Sequence, residues 1–466
     1  MSSSLPSLGM AGQRVLVLGL GVSGVAATRL ARQLGADCVA LDGGSGEKLA
    51  ALGSELAACG ATVELGWPAE RDLPPADLIV ISPGISPRSP LGRRAYASGT
   101  PVVSELEFGF RHCQCPIVAV TGTNGKTTTV ELTTHLLASS GLRVQAAGNI
   151  GLPLAECALS SAQYDLLVVE VSSFQLEAVD RFRPHAAALL NVTPDHYDRH
   201  GGHAPYLAAK LAMLRNLPES SRMVLRHDVA ELPEVRQLLG GRRGAPILFS
   251  PAESPGSAFF AEQGALYERR HGETVRLAGL DELALPGTHN VENALAALAL
   301  VRAAGHSPQR AAAGLRSFRP SPHRLEVVAD VDGVRYINDS KATNVDALCR
   351  ALEAISATHP GRRVLLIAGG VDKDIDFSSA HGPLEKQVRD AFLIGTCKDR
   401  LAKEWQGVVS CHCCLTLEDA VSAASDHARP GDVVLLSPGC ASQDMFHNYA
   451  HRGDQFRALA KRRAGE

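Results

Sequence analysis

No block of like charge runs anywhere along this 466-residue chain: 46 lysines and arginines mix with 49 aspartates and glutamates, for a net charge of -3. That absence argues against a nucleic-acid partner and against a membrane-surface role, both of which concentrate cations in a patch or tail. No uninterrupted apolar run approaches the ~20 residues that a membrane helix needs. The opening MSSSLPSLGMAGQ also lacks the cationic stretch and apolar segment of a secretory leader. A cytoplasmic protein with no membrane partner is therefore expected. Paired cysteine spacing is missing too: the 11 cysteines are scattered and odd in number, and read as reduced, mostly buried thiols. One dense group, CHCC at Cys411 to Cys414, does not read as a zinc site, because four adjacent residues point in divergent directions and cannot close on one tetrahedral ion. Internal repeats and low-complexity tracts are absent.

What is present is an alternation of short apolar runs with helical patterns, which predicts α/β layers around parallel sheets. The length suits about three domains of ~150 residues. RVLVLGLGVSGVAATRLARQLGADCVALD and ADLIVISPGISP belong to a first unit, residues 1–106. PIVAVTGTNGKTTT, YDLLVVEVSSFQLE and HAAALLNVTPDHYDRH belong to a second, residues 107–320. RVLLIAGGVDKDIDF, DAFLIGT and GDVVLLSPGCASQDMF belong to a third, residues 321–466.

Gly19, Gly21 and Gly24 match the dinucleotide fingerprint, with Asp42 at the distance of a ribose-binding acid. Three glycines let a helix N-terminus approach a diphosphate, whether it belongs to a nicotinamide cofactor or to a nucleotide-sugar. A second glycine loop is more specific. In Gly122-Thr123-Asn124-Gly125-Lys126-Thr127-Thr128, a strand feeds a loop that ends at a helix N-terminus, so backbone N–H groups and the helix dipole converge on anionic oxygens. Lys126 is expected to neutralise the β and γ phosphates of ATP, and the Thr127 hydroxyl to ligate magnesium. Val120 stands where the usual first glycine of such a loop would be, which points away from GTPases and common ATPases.

Glu170 ends an apolar strand in the same unit, where the acidic partner of a magnesium ion belongs. DHYDRHGGH offers Asp195, His196, Asp198, His200 and His203; a zinc site is conceivable, but one ligand for a hard cation, His196, is the more economical reading. Lys210, in the helical YLAAKLAML, reads in isolation as a surface lysine with its stem on apolar neighbours. Three polar strand ends in the third unit, INDSKATN at Asn338 to Asn344, GGVDKDIDF and SPGCASQDMFHNY, together predict a ligand surface.

TGTNGKTTT, GNIG, EVSSFQLE, LNVTPDHYDRHG, YLAAK, GTHNVENALAA, PHRLE, INDSKATN and SPGCAS, in this order along almost the whole chain, resemble the muramyl ligases of peptidoglycan synthesis. The resemblance implies a Rossmann-like UDP-sugar domain, a central P-loop ATPase-type domain and a Rossmann-like C-terminal domain that brings the amino acid. It implies an ATP-dependent amide ligase, acting as a monomer, with UDP-N-acetylmuramoyl-L-alanine and D-glutamate as substrates and an acyl phosphate as intermediate. Lys126 and Thr127 become phosphate and magnesium contacts; Glu170 and His196 become magnesium ligands. Lys210 matches a lysine that is N-carboxylated in the family and holds a second Mg2+, which displaces the surface reading. Asn149 is implied to touch the muramoyl substrate, Asn290 and Asn293 the adenine side, and Arg324, Asp339 and Lys341 the ATP. Thr343, Lys373, Ser442 and Tyr449 line the implied D-glutamate pocket, and Val22, Ser23 and Asp42 the uridine contacts. Some relatives carry an arginine just after this acid, whereas Asp42 is followed by Gly43 and Gly44. A dehydrogenase has no use for the second glycine loop and Glu170, and a non-catalytic nucleotide-sugar sensor has no use for a full set of competent side chains.

Overall fold

The computed structural model describes residues 9–284, 287–371 and 376–465. Three sheets carry the fold. The first is built from β1 (Arg14–Leu18), β2 (Asp37–Asp42), β3 (Thr62–Leu65), β4 (Leu78–Ile81) and β5 (Val102–Ser104), all parallel, in the order β3-β2-β1-β4-β5. A parallel sheet has helices over both faces, so its inner strands read as continuous apolar runs, as RVLVL and LIVI do.

The second sheet contains β6 (Ile117–Thr121), β7 (Val144–Gly148), β8 (Leu166–Glu170), β9 (Ala186–Leu189), β10 (Arg222–Arg226), β11 (Ile247–Ser250), β12 (Phe259–Glu262), β13 (Ala265–Arg270) and β14 (Glu273–Gly279). Its order is β14-β13-β12-β11-β10-β9-β6-β8-β7. Strands β6 to β12 are parallel; β13 and β14 extend the sheet as an antiparallel hairpin, an addition that the parallel pattern of the sequence does not foretell. The third sheet, β15 (Glu326–Val331), β16 (Val334–Asn338), β17 (Val364–Gly369), β18 (Val388–Ile394), β19 (Ser410–Cys413) and β20 (Val433–Leu436), runs β15-β16-β20-β17-β18-β19, with only β15 antiparallel.

The chain packs as two compact units. One holds the first two sheets: residues up to Val192, Arg199–Gly279 and Asn293–Leu315. The other holds the third sheet: Thr193–Asp198, Leu280–Glu292 and Arg316 onward. Within the first unit, the helix Glu105–His112 is tied in through two buried acids. Glu105 Oε1 accepts the Ala155 N–H at 2.6 Å, and the Glu107 carboxylate accepts the N–H groups of Asp180, Arg181 and Phe182. Burial pushes the Glu105 carboxyl up to about 7. No helix among the described residues is long and apolar enough to cross a membrane.

Candidate functional site

In the first unit, β6 leads into the loop Gly122–Gly125 and then into the helix Lys126–Ser139. Gly125 takes φ 82° at the head of that helix, and a Cβ there would lie 2.3 Å from Asn293 Oδ1. Only glycine allows both the left-handed turn and that approach. Asn191 holds the loop from below: its Oδ1 accepts the N–H groups of Thr123 (3.0 Å) and Asn124 (2.8 Å), and its amide donates to the Asn124 carbonyl at 3.0 Å. Asn191 stands just past β9 in LNVTPDH, and sequence reasoning passed over it; its position at a strand end beside the loop was the available signal.

Lys126 folds back to donate to the carbonyls of Gly122 (2.9 Å) and Thr123 (2.8 Å). The ammonium therefore sits inside the loop it serves. Thr127 donates its hydroxyl to Glu170 Oε2 at 2.7 Å, and Asn149 donates to Glu170 Oε1 at 2.8 Å. A buried carboxylate whose two oxygens meet a threonine hydroxyl and an amide, at the N-terminus of a helix, is an all-oxygen donor set. Such a set could hold Mg2+ through Thr127 and Glu170.

Lys210, on the helix His203–Arg215, is not the surface lysine that its local pattern suggests: it is 1% exposed. Its Nζ donates to the Gly122 carbonyl at 2.8 Å and lies 4.4 Å from the centroid of the Tyr206 ring. The Tyr206 hydroxyl in turn meets Thr123 Oγ1 at 3.0 Å. Three polar groups from one helix and one loop thus converge beside the phosphate-loop backbone. Asn293 Oδ1 accepts the Thr129 hydroxyl at 3.3 Å, packing the helix Thr288–Ala303 against the phosphate-loop helix.

The first glycine turn closes as the fingerprint requires. A Cβ at Gly24 would fall 1.8 Å from the Gly19 carbonyl, so β1 and the helix Val22–Gln33 meet backbone to backbone. Asp42 staples the turn, accepting Leu20 N–H at 2.6 Å and Gly44 N–H at 2.7 Å. Gly44 thus meets Asp42 through its backbone. Val22 is 74% exposed at the head of its helix, with the partly buried Ser23 beside it.

The second unit gathers its own group at the C-terminal ends of β16, β17 and β20. Asp339 accepts the Ser437 hydroxyl (2.9 Å) and the Leu325 N–H (3.2 Å); burial pushes its carboxyl up to about 7. Lys341 Nζ lies 3.8 Å from the centroid of the Tyr449 ring. Arg452, fully buried, donates to Ser340 Oγ (2.9 Å), to the Ser340 carbonyl (2.9 Å) and to the Cys440 carbonyl (3.1 Å), joining INDSKATN to SPGCAS. Sequence reasoning missed it because YAHRGDQF reads as a charged helix. Ser442 is buried, and Arg324 and Thr343 are partly buried. His196 also belongs to this unit, at φ 55°, with its N–H on Asp195 Oδ1 at 2.9 Å. Asn290 donates to His289 Nε2 at 3.0 Å; burial, with the Arg350 charge, lowers His289 to about 4. Lys373 lies outside the described residues.

Three family models match the chain in succession: "Mur ligase MurD-like, N-terminal domain" over residues 13–104, "Mur ligase middle domain" over 120–301 and "Mur ligase, glutamate ligase domain" over 323–440. The UDP-N-acetylmuramoylalanine--D-glutamate ligase of Myxococcus xanthus is 41% identical over 460 residues, covering 98% of this chain and 99% of that one. The protein of the same name from Frankia casuarinae is 40% identical over 469 residues, covering 98% and 96%. Among solved structures, MurF from Acinetobacter baumannii superposes with a TM-score of 0.62 at 18% identity, over 92% of this chain and 91% of that one. MurF from Thermotoga maritima, solved in complex with ADP, superposes with a TM-score of 0.60 at 18% identity, over 92% and 95%. At such identity these two structures speak for the fold.

Proposed function

The chain belongs to the Mur ligase family, and from that premise we propose that it adds D-glutamate to UDP-N-acetylmuramoyl-L-alanine, with conversion of ATP to ADP and phosphate. The observation that carries the reading is the clasp of Lys126, Thr127 and Glu170 at the head of the helix Lys126–Ser139, in a chain 41% identical to a ligase of that name.

A free carboxylate is a poor electrophile, so the substrate must be activated first. Its carboxylate oxygen attacks the γ-phosphorus of ATP, the bond to the β-phosphate oxygen breaks, and an acyl phosphate and ADP result. The amine of D-glutamate then attacks the acyl carbon and loses a proton as phosphate departs, leaving the amide. The protein's part is positioning and charge neutralisation, since phosphoryl transfer needs little covalent help. Lys126 neutralises the transferring phosphoryl group, and the backbone of Gly122 to Thr128 cradles it. Thr127, Glu170 and His196 would hold magnesium, which would supply further neutralisation of the phosphate oxygens. Lys210 is proposed to take up carbon dioxide on its neutral amine, releasing one proton and becoming a carbamate. The resulting anion could hold a second magnesium ion, which the ammonium form would repel.

In this reading residues 1–106 bind the UDP-sugar through Val22, Ser23 and Asp42, with Asn149 of the central domain on the muramoyl part. Residues 107–320 bind ATP, with Asn290 and Asn293 at the adenine side. Residues 321–466 supply Arg324, Asp339 and Lys341 to the ATP, and Thr343, Lys373, Ser442 and Tyr449 to D-glutamate. The enzyme acts in the cytoplasm, as a monomer, in cell-wall precursor synthesis. The test is phosphate release with UDP-N-acetylmuramoyl-L-alanine against a panel of amino acids. D-Glutamate is expected to be strongly preferred over L-glutamate and D-aspartate: the first has the wrong hand, and the second is too short to make both carboxylate contacts, one of which is worth ~1.5–3 kcal/mol. Equal use of L-glutamate would overturn the substrate assignment, and absence of phosphate release with every amino acid would overturn the ligase reading.

A further inference from the structure

Away from the polar strand ends, three potential metal ligands from three elements of the second unit converge: Asp390 near the start of β18, His412 in β19, and His427, the last residue of the helix Leu417–His427. Nε2 of His412 lies 3.0 Å from Oδ1 of Asp390, and Nδ1 of His427 lies 3.7 Å from Oδ2. One ligand atom from each residue lies within 4.8 Å of the other two. Three atoms bound at ~2.0–2.1 Å to one tetrahedral ion stand roughly 3.4 Å apart, so modest side-chain shifts would complete the set.

The ring planes are already fixed. Strand register sets Phe392 beside His412, and the buried Phe392 ring stacks on His412 at 5.0 Å and 17° while meeting His427 edge-on at 5.4 Å and 81°. Two thiols of CHCC are turned elsewhere, Cys411 to the Val409 carbonyl and Cys413 to Asp399, while Cys414 bonds to the backbone carbonyl of His412. The strand pleat thus separates the His412 side chain from those of the adjacent Cys411 and Cys413. The nearby cation, Arg389, bonds to Asp390 Oδ2 at 3.3 Å and to Asp432 at 2.8 Å, so Asp432 shares in balancing its charge, and Asp390 Oδ1 remains toward His412.

We propose that Asp390, His412 and His427 bind a divalent transition ion of the zinc class, which fastens the end of the helix Leu417–His427 to strands β18 and β19. Two imidazoles and a carboxylate suit Zn2+, Co2+ or Ni2+ and discriminate against Mg2+.

Zinc binding is to be measured by calorimetry on the full-length reduced protein in excess magnesium, for the parent, His412→Asn, His427→Asn, the double variant, and Cys411→Ser/Cys413→Ser. Both imidazoles are a third or more exposed, at 36% and 43%, so the asparagine variants are expected to fold, which circular dichroism checks. One zinc per chain is expected at this site. Each histidine change should weaken it by more than ~10–100-fold, the cost of disturbing even an outer partner of a metal ligand. The cysteine variant should retain it, and zinc should raise the unfolding temperature of the parent but not of the double variant. Undiminished binding in the double variant, loss in the cysteine variant, or no competition-resistant binding in the parent would each overturn the site.

Discussion

Lys126 is held by the Gly122 and Thr123 carbonyls and Glu170 by Thr127 and Asn149, so each charge is oriented by its own protein neighbours. Lys126→Ala and Glu170→Ala are therefore expected to lower turnover ~10²-fold or more each, the usual loss when one stabiliser of transition-state charge is removed. Calorimetry should find nucleotide-sugar binding intact in both. Lys210→Ala should be nearly inactive and partly rescued by added formate or acetate, which can occupy the vacated anionic position; failure of every small carboxylate to rescue would count against a carbamate. Glu105 gives a pH prediction. Its carboxyl sits at about 7 when folded, against an ordinary value near 4.5, so the native state keeps a proton that the unfolded chain releases. Stability from this group is full below pH 4.5, falls as pH rises from 4.5 to about 7, and is level above that. Glu105→Gln keeps an acceptor for the Ala155 N–H without the titration. The urea midpoint of the variant should accordingly gain on that of the parent between pH 5 and pH 7, and the gain should then stop.

Among elements, the turn between β6 and its helix was legible because glycine, lysine and threonine at that spacing have few other uses, and Glu170 because a strand end is where such an acid acts. Lys210 was illegible from its helix alone: its burial depends on a carbonyl at Gly122 and a ring at Tyr206, and only the family resemblance singled it out. Arg452 was illegible for the same reason, since its acceptors, Ser340 and Cys440, belong to other strand ends. The β13–β14 hairpin escaped because its strands cannot be told from edge segments without their partners. Arg452→Met is expected to cost roughly 2–4 kcal/mol in urea unfolding, by leaving a hydroxyl and two carbonyls without their charged donor. By freeing SPGCAS from INDSKATN, it should also raise KM for the amino acid more than KM for the nucleotide-sugar.

At the scale of the whole molecule, the proposed ATP contacts fall in both compact units, Lys126 and Asn293 in one and Arg324, Asp339 and Lys341 in the other. Productive binding then requires one nucleotide to engage both, and small-angle scattering should report a smaller radius of gyration with a non-hydrolysable ATP analogue and UDP-N-acetylmuramoyl-L-alanine than without. Identical profiles at saturation would refute closure. The discontinuity of the second unit also bears on the order of synthesis. Thr193–Asp198 leaves the ribosome about 120 residues before Arg316 begins the bulk of that unit, roughly 6–24 s at ~5–20 residues per second. Asp195 must wait through that interval for Asn344, its hydrogen-bond partner at 3.2 Å, and His196 for the surroundings that hold it at φ 55°. This six-residue segment is thus a piece of the late-folding unit delivered early, and its final shape is among the last features the nascent chain can acquire.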